Sequence, residues 1–155
     1  MGEKTLPITG GCLCRAIRYE VDGSPELAVM CHCRMCQKWS GAPAGGGVVF
    51  ARANFRFTKG TPKIYQSSAI AERIFCPDCG SPLILHYLVP PYGPDKYSVK
   101  IGSLDSPEAF ALEEYYGVED HLSSWVPLRD ELPRTRCDED DGLAAAWVAA
   151  GRHKK

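Results

Sequence analysis

The sequence contains no apolar run of the roughly 18–20 residues that a membrane-spanning helix needs, and residues 1–7 lack the apolar core of a secretory signal. A cytoplasmic location is therefore expected. Charge of one sign is also missing. Eighteen Lys and Arg against 19 Asp and Glu leave a formal net charge of -1, so no whole-molecule field draws the protein to nucleic acid or to an anionic membrane. Long uninterrupted stretches are scarce because 15 Gly and 12 Pro punctuate the 155 residues. That disfavours long helices and suits short strands joined by turns. No fixed-period repeat or low-complexity linker divides the chain, and its length suits one domain with a sizeable core. We read 1–155 as that domain, with a core of about 9–125 and a C-terminal extension of about 126–155.

The expected body is mainly β. Alternation and flanking turn residues place strands at 16–21, 47–51, 55–57, 63–65, 73–75, 83–87 and 97–101, with an exposed loop at 90–95. Ser106, Pro107 and Glu108 open one helical turn at most. Near the end, the acidic run 138–141 can cap a short helix over the alanine-rich stretch 143–150, which Gly151 would stop. The basic residues 152–155, His153 among them, read as a tail.

Set against these absences are eight cysteines. In a reducing compartment they point to metal ligation or thiol chemistry rather than structural disulfides. Seven fall in three clusters: Cys12-Leu13-Cys14, Cys31-His32-Cys33-Arg34-Met35-Cys36 and Cys76-Pro77-Asp78-Cys79-Gly80. Residues two apart in an extended segment face the same way, so Cys12 and Cys14 can offer both sulfurs to one ion. Pro77 and Gly80 suit a tight knuckle that presents Cys76 and Cys79 across a turn. These four complete the sulfur tetrahedron of a structural zinc site. Buried apolar cysteines, or a redox Cys-x-x-Cys without its usual βαβ context, are the readings beside it.

Cys31, Cys33 and Cys36 are close enough to hold one ion and leave its fourth position without a protein ligand, the pattern of a catalytic zinc. A fourth ligand from His32, His86, His121 or Cys137, or an iron–sulfur cluster, stays open on spacing alone. If the segment is extended, His32 points away from the sulfurs and serves as a hydrogen-bonding or surface residue. Cys137 reads as a spare thiol. Arg34 and Lys38 flank the second cluster, where they can attract an anion or lower a thiol pKa. Asp78, Tyr115, Tyr116 and His121 are available by type as acids or bases, without a spacing argument.

The segments Gly10-Gly11-Cys12-Leu13-Cys14, 31–43 and 73–83 resemble, in order and separation, the signatures of the glutathione-dependent formaldehyde-activating enzyme family. The resemblance runs from about Thr9 to Trp125. It implies coiled, mostly antiparallel β-sheets like those of the exchange factor Mss4, stapled by zinc, with a short C-terminal helix here. It also implies two zinc ions per chain: Cys12, Cys14, Cys76 and Cys79 hold the structural one, and Cys31, Cys33 and Cys36 the catalytic one. The implied activity is that of a carbon–sulfur lyase, joining glutathione or a similar thiol to formaldehyde or a related small aldehyde. A zinc-dependent capture module and a protein-interaction scaffold are the alternatives. Two features depart from the family pattern: Arg15 stands where Gly is usual, and 115–125 keeps Trp125 but has tyrosines and Leu122 near the expected His and base. Lys38 and Trp125 are the candidate substrate contacts.

Overall fold

All seven strands expected from alternation are present, to within two residues at either end, in the computed structural model, which describes residues 7–151. A small antiparallel sheet joins β1 (Ile8–Gly11), β2 (Arg18–Val21) and β5 (Phe55–Lys59) in that order. The larger sheet adds β3 (Leu27–Cys31), β4 (Gly45–Ala51), β6 (Lys63–Gln66), β7 (Ala71–Phe75), β8 (Pro82–Tyr87), β9 (Lys96–Lys100), β10 (Glu114–Tyr116) and β11 (Arg134–Thr135). Its order is β11-β10-β3-β4-β9-β8-β7-β6, and β10 is parallel to both neighbours while the rest is antiparallel.

Period-two alternation gives the large sheet two unlike faces. Ala28, Val48, Ile84 and Val99 form the core with Ile17, Tyr19 and Val21, which come from β2 and the turn before it. The Tyr19 hydroxyl is buried there and hydrogen-bonds Ser103 Oγ at 2.7 Å, so no polar atom of that ring is stranded. On the opposite face Leu27, Val29 and Cys31 make a row along β3 beside Gly45 and Val49 of β4. That second face carries the candidate site.

Two α-helices are present among the described residues. The C-terminal one, α2 (Asp141–Ala149), starts as the acidic run predicts: Asp140 accepts a hydrogen bond from Leu143 N–H at 2.9 Å. Its Leu143 and Ala146 pack on Ile70 and Cys137, with Cys33, Tyr87 and Tyr116 against them, so the helix covers the second face of the sheet. The other, α1 (Arg34–Ser40), starts only after Cys33, so Cys31 ends a strand, residues 31–33 stay outside the helix, and Cys36 alone of the second cysteine cluster lies on it. Cys33 caps it by accepting from Cys36 N–H, and Gly41, at φ 66°, closes it by donating to Gln37 O at 2.9 Å. The single 3-10 turn Pro107–Ala109 matches the turn expected there. Residues 152–155, including His153, lie outside the described residues.

Candidate metal centres

The first sulfur cluster joins two turns. β1 ends at Gly11, and Arg15 N–H closes a turn onto Cys12 O at 3.1 Å. Cys12 and Cys14 therefore meet at 3.5 Å across a turn, not along the extended segment read from their spacing. Arg15 takes a φ of 65°, the left-handed region that favours glycine, and Lys59 Nζ holds its carbonyl at 2.9 Å. The knuckle after β7 closes in the predicted way, with Gly80 N–H donating to Cys76 O at 2.9 Å and Gly80 at φ 74°. Ser81 ties the turns together: its Oγ accepts from Leu13 N–H at 3.0 Å and lies 3.1 Å from Cys79 Sγ. That hydroxyl is the main reason the Cys79 thiol is lowered to about 5.

The four sulfurs of Cys12, Cys14, Cys76 and Cys79 all lie within 4.8 Å of one another, with Cys14 and Cys76 at 3.8 Å. A tetrahedron with zinc–sulfur bonds of about 2.3 Å has sulfur–sulfur edges of roughly 3.8 Å, so the donor set fits a zinc ion. Ile17 N–H donates to Cys12 Sγ at 3.2 Å, the kind of outer hydrogen bond that orients a ligand.

The second cluster is built by a strand end and a helix start. Cys31 closes β3, Cys33 caps α1 and Cys36 lies on its first turn; their sulfurs also lie within 4.8 Å of one another. None of His32, His86, His121 and Cys137 joins that group. His86 is paired instead with Glu72 at 2.8 Å and Pro94 O at 2.9 Å. His32 is fully buried against His121 and Tyr115, and neither of its ring nitrogens has a hydrogen-bond partner. It is therefore neither the surface nor the hydrogen-bonding residue expected, and burial, then His121, depresses its pKa. Gln37 braces the loop by donating to His32 O at 2.6 Å and Asp120 O at 2.9 Å.

Two buried cations attend these sulfurs, and sequence reasoning missed both. Arg73 Nη1 is 3.9 Å from Cys36 Sγ, and its guanidinium lies 4.8 Å from the centre of the Trp39 ring. Lys100 Nζ lies 5.3 Å from the same ring. Neither forms an ion pair with a carboxylate among the described residues. Burial pushes the Lys100 ammonium pKa down, and the charge of Cys36 opposes it. Cys33 is held well below the usual thiol range by hydrogen bonds from Cys137, Cys31 and Cys36. Three thiolates and a divalent ion carry one net negative charge, whereas Arg73 and Lys100 supply two positive charges. The two cations offset the negative charge that three thiolates would carry, which suits a metal ion held by three sulfurs.

The cluster stands between two cavities that share Cys36, Leu85, Tyr87 and Tyr116. One, of about 330 Å³, has apolar walls and contains Lys100; the other, of about 810 Å³, contains Arg73, Cys33 and Cys137 with the charged side chains of Arg34, Glu119 and Asp120. Tyr92 and Tyr116 both donate to Asp140, fastening the start of α2 to the cavity wall. Lys38 and Trp125 lie together in a separate shallow depression, with Arg34 and Leu122 and without a cysteine. Tyr115 is buried and accepts from Arg129 N–H at 3.2 Å, and His121 bonds Val126 O. No helix among the described residues is long and apolar enough to cross a membrane.

Known proteins resemble the chain in sequence and in fold. An uncharacterized lyase of Schizosaccharomyces pombe is 35% identical over 79 residues, 50% of this chain and 56% of that protein, so the chain spans just over half of the relative's length. A crystal structure of a Rhodobacter sphaeroides protein superposes with a TM-score of 0.53 at 20% identity, covering 82% of this chain and 99% of that one; it shares the fold. The profile of the glutathione-dependent formaldehyde-activating enzymes matches residues 7–117, which takes in both sulfur clusters. The chain belongs to the glutathione-dependent formaldehyde-activating enzyme family.

Proposed function

We propose that the protein is a zinc-dependent carbon–sulfur lyase that adds a thiol such as glutathione to formaldehyde or a related small carbonyl compound, and reverses that addition. The observation that carries this reading is the three-sulfur group of Cys31, Cys33 and Cys36 at the junction of two cavities, with Arg73 and Lys100 beside it. A zinc ion held there supplies a Lewis acid and a position for one exchangeable ligand. Cys12, Cys14, Cys76 and Cys79 would hold the second ion for structure alone.

The protein's part is to bring sulfur and carbonyl carbon together and to receive charge. The polar 810 Å³ cavity admits the thiol past Arg34, and Arg73 stabilises its sulfur as a thiolate. The thiolate lone pair forms the carbon–sulfur bond, the carbonyl π pair moves to oxygen, and the proton lost by the thiol ends on that oxygen. No oxidant or reductant is needed. Lys100 Nζ donates a hydrogen bond to the oxygen as negative charge develops on it. Seven cysteines placed to hold metal suit a reducing compartment, the cytoplasm.

The experiment is zinc analysis of the purified protein, paired with glutathione and formaldehyde turnover corrected for the spontaneous reaction. Two zinc ions per chain and a rate above background are expected. Thiol binding without turnover identifies a capture module instead, and the absence of both thiol binding and turnover, with formaldehyde and with larger aldehydes alike, overturns the reading.

A further inference from the structure

The 330 Å³ cavity is out of proportion to formaldehyde, which has two heavy atoms; its volume is that of pockets that enclose a whole small-molecule ligand. Its walls follow from strand register. Leu27 and Val49 are direct partners across β3 and β4, and Val29 continues the row toward Cys31. Leu85 continues the same row across Ser98, and Tyr87 lines the cavity beside it from β8.

Most of the polar groups in the lining are engaged with protein. Thr135 Oγ1 donates to Glu114 Oε1 at 2.6 Å, Lys96 pairs with Glu26 at 2.5 Å, and Tyr92 and Tyr116 bond Asp140. Among the charged groups of the lining, Lys100 alone has no hydrogen-bond partner among the described residues. Gly45 fixes its place: a β-carbon there would lie 3.3 Å from Lys100 Nζ and 3.4 Å from Cys36 Cβ, so glycine lets the ammonium sit close to the ligand turn. The cavity thus has one cationic donor without a hydrogen-bond partner, at the sulfur end, and a mostly apolar lining whose other charged groups are engaged with protein, whereas the neighbouring cavity is the more polar one.

We propose that this cavity holds the apolar side chain of the carbonyl substrate, so that the preferred aldehyde carries an arylalkyl or branched aliphatic group with its oxygen toward Lys100. The assignment rests on the lyase reading given under Proposed function. A hydrocarbon group in such a cavity gains from burial, and one methylene more or less changes specificity by about tenfold or more. Formaldehyde leaves that surface wet.

The test measures kcat/KM of the zinc-loaded protein for phenylacetaldehyde and for formaldehyde, each with glutathione and corrected for the uncatalysed addition. Phenylacetaldehyde is expected to lead by at least about tenfold, and Val49→Trp, which fills the cavity, to cut that ratio about tenfold. A wild-type preference for formaldehyde, or an unchanged ratio in a folded Val49→Trp protein with two zinc ions, overturns the inference and leaves the lyase reading intact. If Val49→Trp does not fold, the wild-type ratio decides. If no aldehyde reacts above background, the lyase reading fails, and calorimetry with 2-phenylethanol judges the cavity separately. Binding with a negative heat-capacity change then supports an apolar ligand there, and no binding overturns it.

Discussion

The thiol of Cys137 hydrogen-bonds the sulfur of Cys33, although one lies in the C-terminal extension and the other caps α1. Gly117 makes room for the pair: a β-carbon there would come within 3.1 Å of Cys137 Sγ and 3.0 Å of Cys33 Cβ. Cys137 is buried, and its N–H donates to Glu119 Oε2 at 2.9 Å. It is a neighbour of the second cluster and not the spare thiol its isolation in the sequence suggested. The matched family profile ends at residue 117, so this contact comes from beyond the matched region.

An outer hydrogen bond to a metal ligand is commonly worth 10- to 100-fold in affinity or activity. Cys137→Ala is therefore expected to weaken zinc at the second centre by about tenfold, while Cys137→Ser, which keeps a donor, stays nearer the wild type. Competition with a chelator of known affinity measures both. Equal affinity in all three proteins would show that Cys137 only fills space.

The first centre links segments far apart in the chain, so its metal affinity should appear as folding free energy. A structural zinc contributes about 10–16 kcal/mol in small peptides, and losing even about 3–5 kcal/mol of that would lower the melting temperature of a chain this size by roughly 10 °C or more. Cys79→Ser should be insoluble or melt at least that much lower. A soluble variant with one zinc fewer and an unchanged melting temperature would contradict the structural assignment.

The three cysteine motifs are legible in the sequence because a turn of three or four residues decides which neighbouring thiols converge, and two pairs of such thiols make up the four sulfurs of the first centre although they lie far apart in the chain. The strands with clear alternation are legible for the same reason. β3, a continuous apolar run, has no period to read, and the two-residue β11 exists only through its pairing with Tyr115 and Tyr116. Arg73 and Lys100 could not be paired in advance because their contact with Trp39 joins β7, β9 and α1. His32 escaped for a different reason: its burial comes from His121, brought near by packing. Lys38 and Trp125, picked out as substrate contacts, do meet, but in a depression without cysteine.

Lys100→Met removes the ammonium and keeps the length of the side chain. If Lys100 Nζ stabilises developing charge on the carbonyl oxygen, kcat falls by about 100-fold while zinc content stays at the wild-type value. A rise in KM alone, with kcat preserved, would assign Lys100 to binding.

Asp140 fastens α2 to the cavity wall, and its ionisation links that contact to pH. Burial opposes the charged form, but hydrogen bonds from Tyr116 and Tyr92 outweigh it and hold the carboxyl below the usual range. A depressed folded value means that the unfolded chain takes up the proton first as pH falls. The contribution is therefore full above the unfolded value of about 3.9 and is lost as pH falls through the folded one. Asp140→Asn keeps a cap but no charge. Urea midpoints measured from pH 5 downward should fall more steeply for the wild type than for this variant; parallel curves would contradict the linkage.

The second centre should release its metal more readily than the first. Three protein thiolates are fewer bonds to break than four, and the sulfurs lie between two cavities through which a chelator or a substrate thiol can approach. The body of the fold does not depend on it in the same way, because the core between the two sheets lies on the opposite face of the large sheet. Mild chelation, or Cys33→Ser, is expected to remove about one equivalent of zinc, to lower the melting temperature only slightly and to abolish thiol-dependent turnover. Zinc content, melting temperature and activity are read on the same sample, so that loss of metal and loss of fold are told apart. Unfolding on release of this ion, or activity that survives its complete removal, would show that the division into one structural and one working centre is wrong.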